Sequence, residues 1–158
     1  MSAKPVWEGD VVTLYTITAA DEPAVPAEEL CLAAGQGVEG DYYYVQPGGE
    51  RVDEEHPYEV TLIESEAIEG VETESKVKID VRLLGRNIVT RGFSLSHLVG
   101  REFQVGEVRL RGVALYEPGV GLMDLAGHKI AVGLMHRGGL GAQILSGGVI
   151  RAGDRIHE

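Results

Sequence analysis

The run Leu84-Gly85-Arg86-Asn87-Ile88-Val89-Thr90-Arg91-Gly92 places two guanidinium groups, an amide and a hydroxyl within a few residues of one another. Arginine's planar fork of donors suits an anionic ligand, phosphate or carboxylate above all. The same arginines could equally be tied to local carboxylates, the commoner fate of charge. Read as a strand centred on Ile88 and Val89 and limited by the two glycines, the run alternates its side chains between faces. Arg86, Ile88 and Thr90 then share one face, and Asn87, Val89 and Arg91 the other.

The charge distribution locates any anion site in this half of the chain. The formal net charge is −11, yet residues 1–80 hold 19 acids against 4 bases while residues 81–158 hold 6 against 10. An electropositive spot is expected in the second half, with the acidic first half giving solubility. The overall balance argues against nucleic acid, where binding is dominated by neutralising phosphates. No apolar run approaches the roughly 20 residues of a membrane-spanning helix, and no signal-peptide pattern appears, so a cytoplasmic address without membrane partners is expected.

Few other residues offer chemistry. A lone cysteine, Cys31, makes neither an internal disulfide nor a thiolate zinc cluster, and in Leu30-Cys31-Leu32 it reads as a small buried hydrophobe. The histidines lack metal-motif spacing: neither His128 nor His136 has a second one roughly three to five residues away. The pairs Gly138-Gly139 and Gly147-Gly148 lack the Lys-Ser or Lys-Thr companion of a phosphate loop and read as turns.

A chain of 158 residues, 44% hydrophobic, is expected to form a single domain over 1–158. Alternation predicts strands at Val11–Ile17, Leu30–Ala34 and Glu59–Ile63, with a glycine-rich loop at Gly35–Asp41. Tyr42-Tyr43-Tyr44 reads as a strand with aromatics on both faces, or as a surface for stacking a planar ring. Gln46–Pro57 reads as an exposed loop. Glu64–Gly70 carries acids suited to a helix N-terminus, and Ser94–Gly100 offers one or two helical turns. From Arg101 the pattern is all-β, with a short helix expected around Leu122–Ala126 and two short strands near the end. Many short strands and few helices predict a mainly β fold with minor helices, a barrel or sandwich.

Five stretches together resemble the MOSC domains, named for the C-terminal domain of molybdenum cofactor sulfurases. They are Gly35–Asp41; Val60–Glu64; Arg86–Gly92; Leu98–Gly100 with Val105–Val108; and His136–Leu140 with Gly147–Asp154. They occur in the family's order and cover most of the chain from Leu30 to Asp154. The resemblance implies a MOSC-type β-barrel-like fold and binding of molybdenum cofactor, a pterin whose dithiolene carries the metal and whose tail carries phosphate. Asp41, Arg86, Asn87, Thr90, His136 and Arg137 would hold it. Cofactor handling or reduction of N-oxygenated compounds, with a redox or sulfurase partner protein, would be the associated function.

The chain departs from the family where the chemistry is concentrated. Family members commonly carry a Cys-Glu-Pro-Cys-like segment in which a cysteine is the proposed metal ligand or sulfur carrier. Here Leu115-Tyr116-Glu117-Pro118-Gly119 puts Tyr116 and Gly119 at those positions. A phenol with a pKa of roughly 10 is a poor metal ligand and no substitute for a persulfide. The departure leaves open a non-catalytic carrier or interaction domain with an altered small-anion pocket.

Overall fold

The structure is a computed structural model that describes residues 8–19, 22–51, 57–116, 128–135 and 137–158. Its elements are β1 (Glu8–Thr16), β2 (Val25–Ala27), β3 (Glu29–Ala33), β4 (Gly37–Val38), β5 (Val60–Glu64), α1 (Ser65–Ser75), β6 (Ile88–Arg91), β7 (Glu102–Val105), β8 (Val108–Leu115), α2 (His128–Gly133), β9 (Leu140–Ser146), β10 (Gly148–Arg151) and β11 (Arg155–His157). Seven strands close into a barrel in the order β1-β6-β5-β9-β8-β7-β11, and β10-β3-β4 form a smaller sheet. The fold is mainly β and barrel-like, as the spacing of short strands predicts.

Period-two alternation fills the barrel. On β7, Phe103 and Val105 turn inward while Glu102 faces solvent, and they join Leu14, Leu62, Ile88 and Leu140 in one core. Burying a side chain such as Phe103 contributes about 1.5–3 kcal/mol. The β5–β6 pair is parallel, so its connection must cross over, and α1 supplies the crossover. Glu66 in the first turn suits the positive end of α1. The apolar stripe of α1, Ile68 and Val71, packs with Ile63, Val89, Ile130 and Leu134 into a second core. β6 is therefore buried on both faces, with Ile88 in the barrel and Val89 under the helices.

Three expectations change. Tyr42-Tyr43-Tyr44 forms a turn and not a strand, with the Tyr44 N–H on the Asp41 carbonyl at 3.2 Å. Gly40, at φ 90°, turns the chain just ahead of the tyrosines, and this turn chemistry overrides aromatic strand propensity. The C-terminal region holds β9, β10 and β11, three strands in place of two. Arg86 and Asn87 lie just before β6. The helix expected at Leu122–Ala126 falls outside the described residues. Among the described residues, no helix is long and apolar enough to cross a membrane.

Candidate functional site

The two arginines that bracket β6 meet opposite fates, one for each reading of the sequence. Arg91 is exposed and pairs with Glu69 of α1. Arg86 is only 3% exposed and has no carboxylate partner among the described residues. A 3-10 turn at Val81–Leu84 ends at Gly85, whose left-handed φ of 67° redirects the chain ahead of Arg86. Nε of Arg86 donates to the Gly138 carbonyl at 2.7 Å and Nη1 to the Leu84 carbonyl at 2.6 Å. Nη2 is buried with no hydrogen-bond partner among the described residues.

Aromatic rings cover this cation. The guanidinium carbon lies 3.8 Å from the centroid of the Tyr116 ring, within the range of a cation–π contact. Tyr58 packs beside Tyr116, centroid to centroid 5.5 Å. Tyr58 in turn lies flat on β9 at Gly141, where an added Cβ would fall 2.3 Å from the ring. Burial pushes the Arg86 pKa down to about 10, while the phenols of Tyr116 and Tyr43 work in the opposite direction. The group stays protonated at neutral pH. A desolvated cation with a spare donor is the arrangement expected of an anion site.

The neighbouring Asn87 anchors the segment. Its Oδ1 accepts from the Thr61 N–H at 3.0 Å and the Thr61 hydroxyl at 3.2 Å. Its Nδ2 donates to the Tyr15 carbonyl at 3.2 Å and to Asp41 Oδ2 at 3.0 Å. Every polar atom of this amide is used, so Asn87 serves to position Arg86. Asp41 Oδ1 also accepts the Ile17 N–H at 2.7 Å, so the glycine-rich loop, β1 and β6 meet at one carboxylate.

Desolvation raises the Asp41 pKa to about 6, against the lowering effect of its bonds to Ile17 and Asn87. A carboxyl raised above its unfolded value stabilises the fold most when protonated. Its contribution is present below about pH 4 and lost as pH rises through about 6, on the order of 3 kcal/mol. Asp41→Asn should remove this slope: urea unfolding at pH 4.5 and 7.5 should show the wild type losing stability relative to the variant at the higher pH. Parallel pH profiles would show that Asp41 titrates normally.

The other expected site residues separate. Thr90 is fully buried, its hydroxyl 3.4 Å from the Ile63 carbonyl. Arg137 lies against α1, with Nε on the Gly133 carbonyl at 2.8 Å and Nη2 on Glu74 at 2.6 Å. Asp41 and Asn87 are brought together by a hydrogen bond, with Arg86 next to Asn87 in the chain, and Thr90 and Arg137 are held elsewhere by their own bonds. His136 lies outside the described residues, as do Glu117, Pro118 and Gly119. Gly138-Gly139 lies at the bend that leads into β9, as the turn reading expects, and its carbonyls are put to use. The Gly138 carbonyl holds Arg86, and the Gly139 carbonyl accepts the Tyr116 N–H at 2.7 Å.

Three contributors escaped sequence reasoning. Tyr58 could have been suspected from Gly141, since glycine within a strand pattern marks a close approach. Thr61 and the buried Glu59 carried no signal. Glu59 accepts from the Gly35 N–H at 2.8 Å and the Ile144 N–H at 3.3 Å, partners that only the topology assembles. Among the described residues, no group of three or more His, Cys, Asp or Glu side chains could hold a metal ion.

No protein-family model matches the sequence, and no curated protein matches it. Solved structures do. YuaD from Bacillus subtilis superposes with a TM-score of 0.82 at 14% identity, over 96% of each chain. YiiM from Geobacillus stearothermophilus gives 0.67 at 13% identity, covering 94% of this chain and 74% of that one. YiiM from Escherichia coli gives 0.61 at 20% identity, covering 98% and 69%. At such identities the likeness shows the fold alone, and that fold is consistent with the MOSC-like barrel the sequence motifs resemble.

Proposed function

We propose that this chain is a small-anion-binding domain on a MOSC-like scaffold, its ligand a pterin-like anion of the molybdopterin class. The supporting observation is Arg86, a buried cation with Nη2 unpartnered among the described residues. An anion reaching that nitrogen would offset the cost of desolvating the guanidinium and gain a charge-assisted hydrogen bond. Asp41 and Asn87 set the position of the arginine. Thr90 and Arg137 make their hydrogen bonds elsewhere.

The described residues do not fit the metal end of molybdenum cofactor. The position that the family fills with a thiolate carries the Tyr116 phenol, packed against Arg86, and a neutral phenol is a poor ligand. No step through the metal follows from this chain's residues, and the geometry favours a non-catalytic carrier or interaction domain. Cofactor handling or reduction of N-oxygenated compounds, the second reading, is favoured by the order of the MOSC motifs. It would need a redox or sulfurase partner to supply what this chain lacks.

Metal and pterin content separate the two readings. Protein purified without oxygen, or reconstituted with free cofactor, should bind pterin while retaining molybdenum far below one equivalent. Arg86→Gln should weaken pterin binding about tenfold or more, the loss of a charge-assisted hydrogen bond. Near-stoichiometric molybdenum would establish the second reading, and pterin affinity indifferent to Arg86→Gln would remove the assignment of the site.

A further inference from the structure

We propose that Tyr116 is a displaceable cover over the Arg86 site, and that the site takes a planar aromatic monoanion bound without a metal. This rests on the anion-binding reading above and says which anion and how it enters. In the closed arrangement no ligand reaches Nη2, because that nitrogen is fully buried. The ring that covers the guanidinium is itself only half-buried and follows directly on β8.

The displacement is a favourable exchange. Moving Tyr116 gives up its ring's contacts with the guanidinium and with Tyr58, contacts that a flat ligand ring in the same place makes again while adding a charge-assisted hydrogen bond to the buried cation. The seat left behind is bounded by the guanidinium, whose carbon lies 3.8 Å from the ring centroid, and by the half-buried ring of Tyr58, 5.5 Å from it. Tyr116 shows that a flat ring fits this seat. A ligand with a flat ring and an anionic oxygen would fill it and also reach Nη2.

Charge and donor count narrow the anion. Arg86 supplies one uncompensated positive charge, and two of its three guanidinium nitrogens are already committed to carbonyls. Arg91 and Arg137, the other arginines considered for the site, are each tied to a carboxylate. A phosphate dianion, which needs several donors, is therefore matched worse than a monoanion offering one carboxylate oxygen.

Benzoate is the probe, with benzamide, cyclohexanecarboxylate and inorganic phosphate as controls, titrated by calorimetry against wild type, Tyr116→Ala, Tyr116→Phe and Arg86→Lys. Removing the cover should tighten benzoate about tenfold in Tyr116→Ala, while Tyr116→Phe, which keeps the ring, should match wild type. Each control ligand should bind Tyr116→Ala about tenfold more weakly than benzoate does. Arg86→Lys keeps the charge but loses the plane, and should weaken benzoate about fivefold or more.

Benzoate affinity unchanged by Tyr116→Ala would overturn the cover, and phosphate or cyclohexanecarboxylate equal to benzoate would overturn the ligand class. Pterin-6-carboxylate, run alongside, keeps the two claims apart. Binding that depends on Arg86 but ignores Tyr116→Ala leaves the anion site standing and sinks the cover. Binding that ignores both residues removes the site as well. Thermal unfolding of each variant shows whether it is folded, and a Tyr116→Ala protein that is folded yet binds no probe overturns the proposal.

Discussion

Asn87→Asp should lose about 3–5 kcal/mol of stability at pH 7 and recover part of it below about pH 5. The substitution is nearly isosteric, so volume is not at issue. The retained Oδ1 still accepts from Thr61, whose N–H is 3.0 Å away. The other side-chain atom changes from a donor to an acceptor. It then faces Asp41 Oδ2, 3.0 Å from it in the native protein, and the Tyr15 carbonyl at 3.2 Å.

Two carboxylates that close, in a site where Asn87 is 1% exposed, cannot both ionise at low cost. Desolvation already raises the Asp41 pKa to about 6, and a like charge beside it raises it further. As pH falls the pair takes up one proton, which restores a donor between the two groups, so stability returns in acid. Asn87→Ala is the control: it strands the buried Thr61 N–H at a cost of about 1–3 kcal/mol, and its acid recovery is smaller because it adds no second carboxylate beside Asp41. The double exchange, Asp41→Asn with Asn87→Asp, should regain more than half the loss because donor and acceptor merely trade places. Urea unfolding across pH 4 to 8 measures all four proteins. An Asn87→Asp protein as stable as the wild type at pH 7 would mean that the amide does not hold the two strands to the loop.

What could be read in the sequence followed from periodicity and punctuation. Phe103 and Val105, Val108 and Leu110 alternate so regularly that a mainly β fold followed. Arg86 stood out because a basic residue beside a short apolar strand needs an explanation in an acidic protein. Its outcome could not be read. Whether an arginine meets a carboxylate depends on which acidic residue the fold brings to it: α1 carries Glu69 to Arg91 and Glu74 to Arg137, while β8 and β9 bring Tyr116 and a carbonyl to Arg86. Asn87 was legible as polar beside a strand, but its partners Thr61 and Asp41 lie 26 and 46 positions away. Local pattern does not encode pairings of that span. Tyr43 shows the converse error, since aromatic propensity was outweighed by the glycine turn that precedes it.

Gly139→Ala should cost about 4 kcal/mol or more, enough to leave little folded protein at 37 °C. Gly139 has a left-handed φ of 116°, and an added Cβ would lie 2.1 Å from the Leu62 carbonyl oxygen. That oxygen belongs to β5, whose Leu62 faces Leu140 across the β5–β9 pair. Neither strand can move alone, because Leu62 and Leu140 are both fully buried in the barrel core. Relief requires opening the β5–β9 seam. Gly153→Ala separates the two causes: its φ is 90° and nothing lies within 4 Å of the added Cβ, so it bears only backbone strain, about 1–2 kcal/mol. The difference between the variants, measured by thermal and urea unfolding, is the cost of the contact. Any Gly139→Ala protein that stays folded should also lose benzoate and pterin binding. The same residue pair holds Arg86 through the Gly138 carbonyl and Tyr116 through the Gly139 carbonyl, and the added methyl would sit 3.4 Å from Arg86 Nε. Equal losses in the two variants would show that the barrel absorbs the methyl and that the close approach at Gly139 is not what fixes Arg86.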